Sequence, residues 1–165
     1  MANQEYPILN GVAPSWADIS VRISPNGGQL IEMVDIAAIN TSRAVEVGLQ
    51  RGASGGRVLN RTTGQGTQEA SITLYQSGAK QLYRALMQLA PVRGNQRVIS
   101  LVQFQIHQQW TPLGSAEIYE RIIKGCRVIG DTLNAAEGTD AQQIEVPLSV
   151  LEIADIIDGQ EVVLL

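Results

Sequence analysis

The chain holds one histidine, His107, and one cysteine, Cys126. A nucleophile relay needs a histidine beside a serine or cysteine, with a third group to orient the ring. No such motif points at His107, which lies in the glutamine-rich run from Gln103 to Gln109. It reads as structural. Cys126 sits in an apolar strand pattern and reads as a small buried hydrophobe. One cysteine closes no internal disulfide, and one Cys with one His is too few for a structural zinc site. Ser77 to Lys80 matches the S-x-x-K of penicillin-binding enzymes, but the companion S-D-N and K-T-G are missing and helix capping explains Ser77. The glycines from Gly52 to Gly66 include no G-K-[ST], and Gly52–Arg57 fails G-x-G-x-x-G. Asp131, Glu137 and Asp140 offer hard oxygens, but their spacing fits no calcium loop. Asn40 and Asn60 begin glycosylation patterns that mean nothing without a secretory signal, and none is visible near Met1. No catalytic set, cofactor site or metal site is expected.

The elements that would carry these residues are mostly strands. The organising stretch runs from Glu117 to Val150. Tyr119–Ile129 alternates loosely, with Ile118, Ile122, Cys126 and Val128 among its apolar positions. A turn-rich acidic connection follows over Asp131–Asp140. Ile144, Val146, Leu148 and Val150 then share one face, the period of a half-buried strand. Pro147 lies inside it and cannot donate a ladder hydrogen bond. That predicts an edge strand, or one that donates on one side only.

Residues 1–15 read as an arm, broken by Pro7 and Pro14. Trp16–Ser24 alternates cleanly, and Pro25-Asn26-Gly27-Gly28 predicts a hairpin turn. Leu30–Ile39 is apolar on both faces. Val45, Val47 and Leu49 alternate again. Residues 51–66 read as a long glycine- and arginine-rich loop, a kind that is usually functional. Thr67–Gln76 reads as a strand. Gly78–Ala90 reads as the one helix, capped by Ser77 and stopped by Pro91, with Ala79, Leu82, Tyr83 and Leu86 on one stripe. Arg97–Trp110 reads as a long strand. Gln103, Gln105, His107 and Gln109 fall on its polar, uncharged face, which suits water or an enclosed aqueous space. The tail 151–165 alternates poorly. The sum is one domain, a mainly β sandwich or barrel of about seven strands with one flanking helix.

Charge divides the chain. Net charge is −4, against general phosphate-neutralising affinity for nucleic acid. Between Gly48 and Gln68 stand Arg51, Arg57 and Arg61 with no acid. After Arg127 there is no cation, while eight of the sixteen acids lie there. Complementary potentials can steer copies together. Solvated loops with a chance bias would give the same pattern. No apolar run approaches the ~20 residues that cross a bilayer. Synthesis and folding in a cytoplasm are expected, with no membrane partner.

Three passages then carry a resemblance: SWADISVRI from Ser15, GTQEASITLY from Gly66, and IYERIIKGCRVIGDTLNAAEGTDAQQIEVPLSV from Ile118. Their order resembles bacteriophage tail tube proteins, related to the Hcp tubes of type VI secretion. The resemblance implies hexameric rings, stacked into a hollow tube that conducts viral DNA in a phage tail. DNA would be non-specific cargo, and the tube would assemble in the host cytoplasm. Partners implied are the chain itself, a sheath if the tail contracts, and baseplate or initiator, tape measure and terminator proteins. Gln103, Gln105, His107, Gln109, Glu120 and Lys124 would help line the lumen. The 51–66 loop, with Arg51, Gly55, Gly56, Arg57, Arg61 and Gly66, would reach the next ring. There it would meet an acidic surface of Glu137, Asp140, Glu152, Asp155 and Asp158. The N-terminal arm and C-terminal tail would bridge subunits. An injection-system tube subunit is the rival within this class. A monomeric ligand-binding sandwich is the rival outside it, and few aromatics are present to build its stacking platform.

Overall fold

The computed structural model describes residues 19–53, 55–111 and 118–164. The arm 1–15, Trp16, Ser54, Glu117 and Leu165 lie outside them. Seven strands of six or more residues form the frame: β1 (Ile19–Pro25), β3 (Ile36–Arg51), β4 (Val58–Tyr75), β7 (Phe104–Trp110), β8 (Tyr119–Val128), β10 (Gln143–Ser149) and β11 (Glu152–Ile157). Short strands complete it: β2 (Ile31–Glu32), β5 (Val92–Arg93), β6 (Gln96–Arg97), β9 (Thr132–Leu133) and β12 (Gln160–Val162). Among the described residues, the one α-helix, α1, spans Gln76–Met87. All pairings are antiparallel.

Two layers share strand β8. The first layer runs β2-β1-β7-β8-β11-β12, and the second runs β8-β10-β4-β3. β8 changes layer part-way. Its residues Glu120–Lys124 pair with β11, whereas Arg127 and Val128 pair with β10. The corner is Gly125, whose φ of +67° is left-handed backbone that glycine adopts without cost. The Leu151 side chain packs into the space a Cβ would need there. This bulge also reverses the alternation of β8, which is why its sequence alternates only loosely.

Between the layers, Ile23, Ile72, Leu74, Phe104, Ile106, Ile123, Val146 and Ile153 are all but inaccessible to water. α1 closes one opening of this core with Ala79, Leu82, Ala85 and Leu86. Gly78 comes so close to the chain that an added Cβ would sit 2.7 Å from the Asp35 carbonyl oxygen and 2.8 Å from that of Val34. Both are backbone atoms. Gly78→Ala is therefore expected to cost about 1–3 kcal/mol, as overpacking does. Thermal unfolding would show it as a fall of several degrees.

The turn at Pro25–Gly28 forms as its sequence predicts. Asn26 and Gly27 have φ of 49° and 72°, and the hairpin β1–β2 follows. Pro147 is not on an edge. β10 pairs along its length with β4 on one side, and with β9 and β8 on the other. The Pro147 carbonyl accepts from Ile129 N–H on the β8–β9 side. Its nitrogen faces the same side, so the missing donor falls in the gap between those two strands.

Other segments differ from expectation. Residues 51–66 are not a loop: β3 and β4 pair out to Arg51 and Val58, so most of this stretch is strand β4. The glycines make room for neighbours. Leu59 lies over Gly52, Thr62 over Gly48 and Glu46 over Gly64. Within Leu30–Ile39, Asp35, at φ 57°, separates β2 from β3. The helix begins at Gln76, and Ser77 does not cap it; its hydroxyl donates to Asp35 Oδ2. Arg97–Trp110 is interrupted by a 3-10 turn over Ile99–Leu101. The segment 151–165 is not a loose tail. Through Val162 it folds back as the β11–β12 hairpin against β8.

Candidate functional site

The first layer presents a broad face away from the core. Register places its residues in rows. Arg22, His107, Ile122 and Ala154 stand across one row, and Ser20, Gln109, Glu120, Ile156 and Glu161 across the next. Gln105 and Lys124 lie on the same face beside Glu152. Five of the six residues expected to line a lumen are thus brought together. Gln103 precedes β7 and stands exposed at its margin.

This face is polar, and its charge is nearly balanced. Arg22 donates to Gln109 Oε1 at 2.8 Å. Lys124 Nζ lies 2.6 Å from Glu161 and 3.9 Å from Glu152. These partners, the Glu161 hydrogen bond first, raise the Lys124 pKa and keep it charged. Partial burial and then the Arg22 charge push the His107 pKa down, with Glu120 opposing. Both effects favour the neutral imidazole of His107. A shallow depression of about 160 Å³ lies beside it, bounded by Arg22, Leu30 and Glu120. Cys126 lies in the core, where burial pushes its thiol up to about 12, so it supplies no thiolate. Among the described residues, no group of three or more His, Cys, Asp or Glu could hold a metal.

A second surface comes from the β3–β4 hairpin. From Glu46 to Arg51 and from Val58 to Thr67 every residue is exposed, so neither face is covered. About 20 Å of paired strand thus stands clear of the core. It carries Val47, Leu49, Val58 and Leu59 in the open, each about half exposed or more. Arg51, Arg57 and Arg61 cluster at its end, with Gly55 and Gly56 in left-handed turn conformations and Gly66 further down β4. Register puts Glu137 and Asp140 at the opposite end of the same layer. They precede β10, whose first residue, Gln143, pairs with Tyr75 at the far end of β4. Tyr75, Glu137, Asp140 and Gln142 border an open cleft there.

The remaining acidic candidates do not join that surface. Asp155 is buried between the layers, with Arg43 Nη2 at 2.5 Å and Arg121 Nε at 2.6 Å. Burial alone would raise its pKa; the hydrogen bonds from Arg121 and Arg43 outweigh this and hold it below the usual range. Arg121 also donates to Thr41, and Arg43 to the Ile153 carbonyl. This cluster ties the root of the hairpin to β8 and β11. Glu152 belongs to the polar face of the first layer, and Asp158 to the β11–β12 turn. Sequence reasoning missed the cluster. Arg43 and Arg121 each sit amid alternating strand residues, but nothing local says their side chains meet.

No protein-family model matches the sequence, and no curated protein sequence matches it. Solved structures do. A chain in the extended-state sheath–tube complex of an extracellular contractile injection system has 11% identity and a TM-score of 0.64, over 98% of this chain and 100% of that one. A chain in the tube-terminating cap of the anti-feeding prophage has 12% identity and a TM-score of 0.64, with the same coverage. The SPP1 tail tube has 12% identity and a TM-score of 0.59, over 89% of this chain and 82% of that one. The chain has the tail-tube fold. At 11–12% identity, the likeness is one of fold.

Proposed function

We propose that the chain is the structural subunit of a phage tail tube, without enzymatic activity. Six copies would close a ring, and rings would stack head to tail around a lumen that conducts DNA. The observation that carries this reading is the hairpin. It is long, uncovered on both faces and arginine-tipped, and acidic residues stand at the other end of the same layer. Complementary ends on one chain make a heterologous contact, which repeats into a filament when it does not close. Exposed aliphatic residues on the arm need burial against a neighbour. The β3 edge, sixteen residues long, calls for a partner strand or a cover.

The polar face of the first layer would line the lumen. Two cations, Arg22 and Lys124, stand there beside three carboxylates, Glu120, Glu152 and Glu161. With Lys124 held by acids and His107 favoured in its neutral form, it offers little to grip phosphate, which suits DNA that must slide. The double variant Gln105→Lys with Gln109→Lys is expected to leave tubes intact and to make them retain DNA at low salt. Filter binding of a labelled fragment to assembled tubes would measure it; equal retention by wild type and variant would remove this face from the lumen.

Virion location, host-cytoplasm assembly and contacts with sheath, baseplate, tape measure and terminator proteins follow from the same reading. An injection-system tube is the second reading, favoured by the likeness to contractile injection system chains. Solution mass against concentration tests the shared core of both. Multiples of six subunits of 17.8 kDa are expected. A monomer at every concentration would leave the ligand-binding sandwich.

A further inference from the structure

A third surface is used by neither the hairpin nor the polar face. From Ala70 to Ala116 the sequence has no acid, yet it holds Lys80, Arg84, Arg93 and Arg97, a third of the twelve cations. The structure gathers them. Lys80, Arg84 and Met87 stand at i, i+4 and i+7 on the exposed stripe of α1, opposite its buried stripe. Arg93 and Arg97 lie on the β5–β6 hairpin that follows. Arg97 donates to the Ala90 carbonyl, which holds that hairpin against the helix end. Among these cations Met87, Leu89, Val92 and Leu101 are 47–60% exposed. The 3-10 turn bearing Leu101 packs against α1.

The helix dipole accounts for part of this. Arg84 in the last turn is favoured by the partial negative charge there, and Arg97 is held by the Ala90 carbonyl just beyond the helix. Lys80 and Arg93 are not explained so, nor are four open aliphatic side chains. Among the described residues none of the four cations forms an ion pair. Asp131, which reaches the helix, is engaged by the Tyr83 hydroxyl at 2.9 Å. The patch therefore presents unopposed positive charge around apolar side chains. That is the composition of a protein interface whose partner supplies carboxylates at the rim and aliphatics at the centre. Nucleic acid fits less well: no aromatic side chain is exposed among these residues for bases to stack on.

We propose that the exposed stripe of α1, the β5–β6 hairpin and the turn after it form a docking surface for a second protein presenting an acidic, aliphatic segment. The surface follows Tyr75, at the far end of β4 from the hairpin tip, so the tip residues are no part of it.

Two fluorescent peptides of equal length test this, one an amphipathic helix of Glu and Leu, the other its Lys and Leu counterpart. A labelled duplex DNA serves as the third probe. Anisotropy is read with the full chain, with Arg84→Glu/Arg93→Glu, and with Met87→Ser/Leu89→Ser. These substitutions are exposed, and circular dichroism checks that the variants fold. The acidic peptide should bind wild type, lose at least tenfold in affinity to the charge variant, and lose severalfold to the serine variant. Equal binding of the basic peptide, tighter binding of DNA, or an affinity unchanged in the serine variant would overturn the proposal. The last outcome would reduce the patch to general charge attraction.

Discussion

Asp155→Ala is expected to destabilise the chain by about 3–5 kcal/mol, because it leaves Arg43 and Arg121 without their shared counter-charge between the layers. Against a usual folding stability of about 5–15 kcal/mol this is severe. Urea unfolding at a concentration where the chain is monomeric would measure it, since assembly adds stability by mass action. The triple change Arg43→Met, Arg121→Met and Asp155→Leu is expected to cost far less, because no charge is then left unpaired. If Asp155→Ala costs under about 1 kcal/mol, the cluster is solvated and the layers are not tied through it. The same carboxylate sets an acid limit. Its folded pKa lies below the unfolded value of about 3.9. The stability it contributes is thus complete above about pH 4 and is lost as pH falls through the folded pKa. Asp155→Asn should flatten that part of the stability curve.

The double variant Arg51→Glu with Arg57→Glu is expected to form rings and to fail at tube growth. Exposed ion pairs are weak, about 0.5 kcal/mol each. Six copies act together at each ring junction, however, and about 3 kcal/mol in total raises the concentration needed for growth roughly a hundredfold. Reversal adds repulsion to that loss. Sedimentation of polymer across a concentration series would show the shift. Adding Glu137→Arg and Asp140→Arg to the same chain should restore growth, an outcome a merely damaged hairpin would not give. Unchanged growth in the double variant would mean that the arginine tip does not touch the next ring.

What the sequence made legible follows from what side-chain period reports. β1, with its turn at Pro25–Gly28, and β10 alternate because one face of each is buried. α1 was visible through its stripe, though it starts two residues earlier and ends three residues earlier than the Gly78–Ala90 expected. The β3–β4 arm left a trace on one strand alone. Val45, Val47 and Leu49 alternate on β3, but both faces of the arm are exposed, so its β4 side keeps no period, and glycines that sit beneath Leu59, Thr62 and Glu46 read as flexibility. β8 lost its period at the Gly125 bulge. β11 hid for another reason: Asp155 points inward while Ala154 is covered on the polar face, which inverts the usual pattern. The polar face was readable because Gln105, His107 and Gln109 fall at every second position. Asp155 was misplaced because composition cannot separate a solvated carboxylate from a buried one with two arginine partners.

Cryo-electron microscopy of the purified protein, concentrated until it assembles, tests the central claim most directly. Hollow tubes of stacked six-subunit rings are predicted, with Gln105, His107 and Gln109 on the lumen and the β3–β4 hairpin crossing to the next ring. Monomers at every concentration, or tubes with that polar face turned outward, would contradict it.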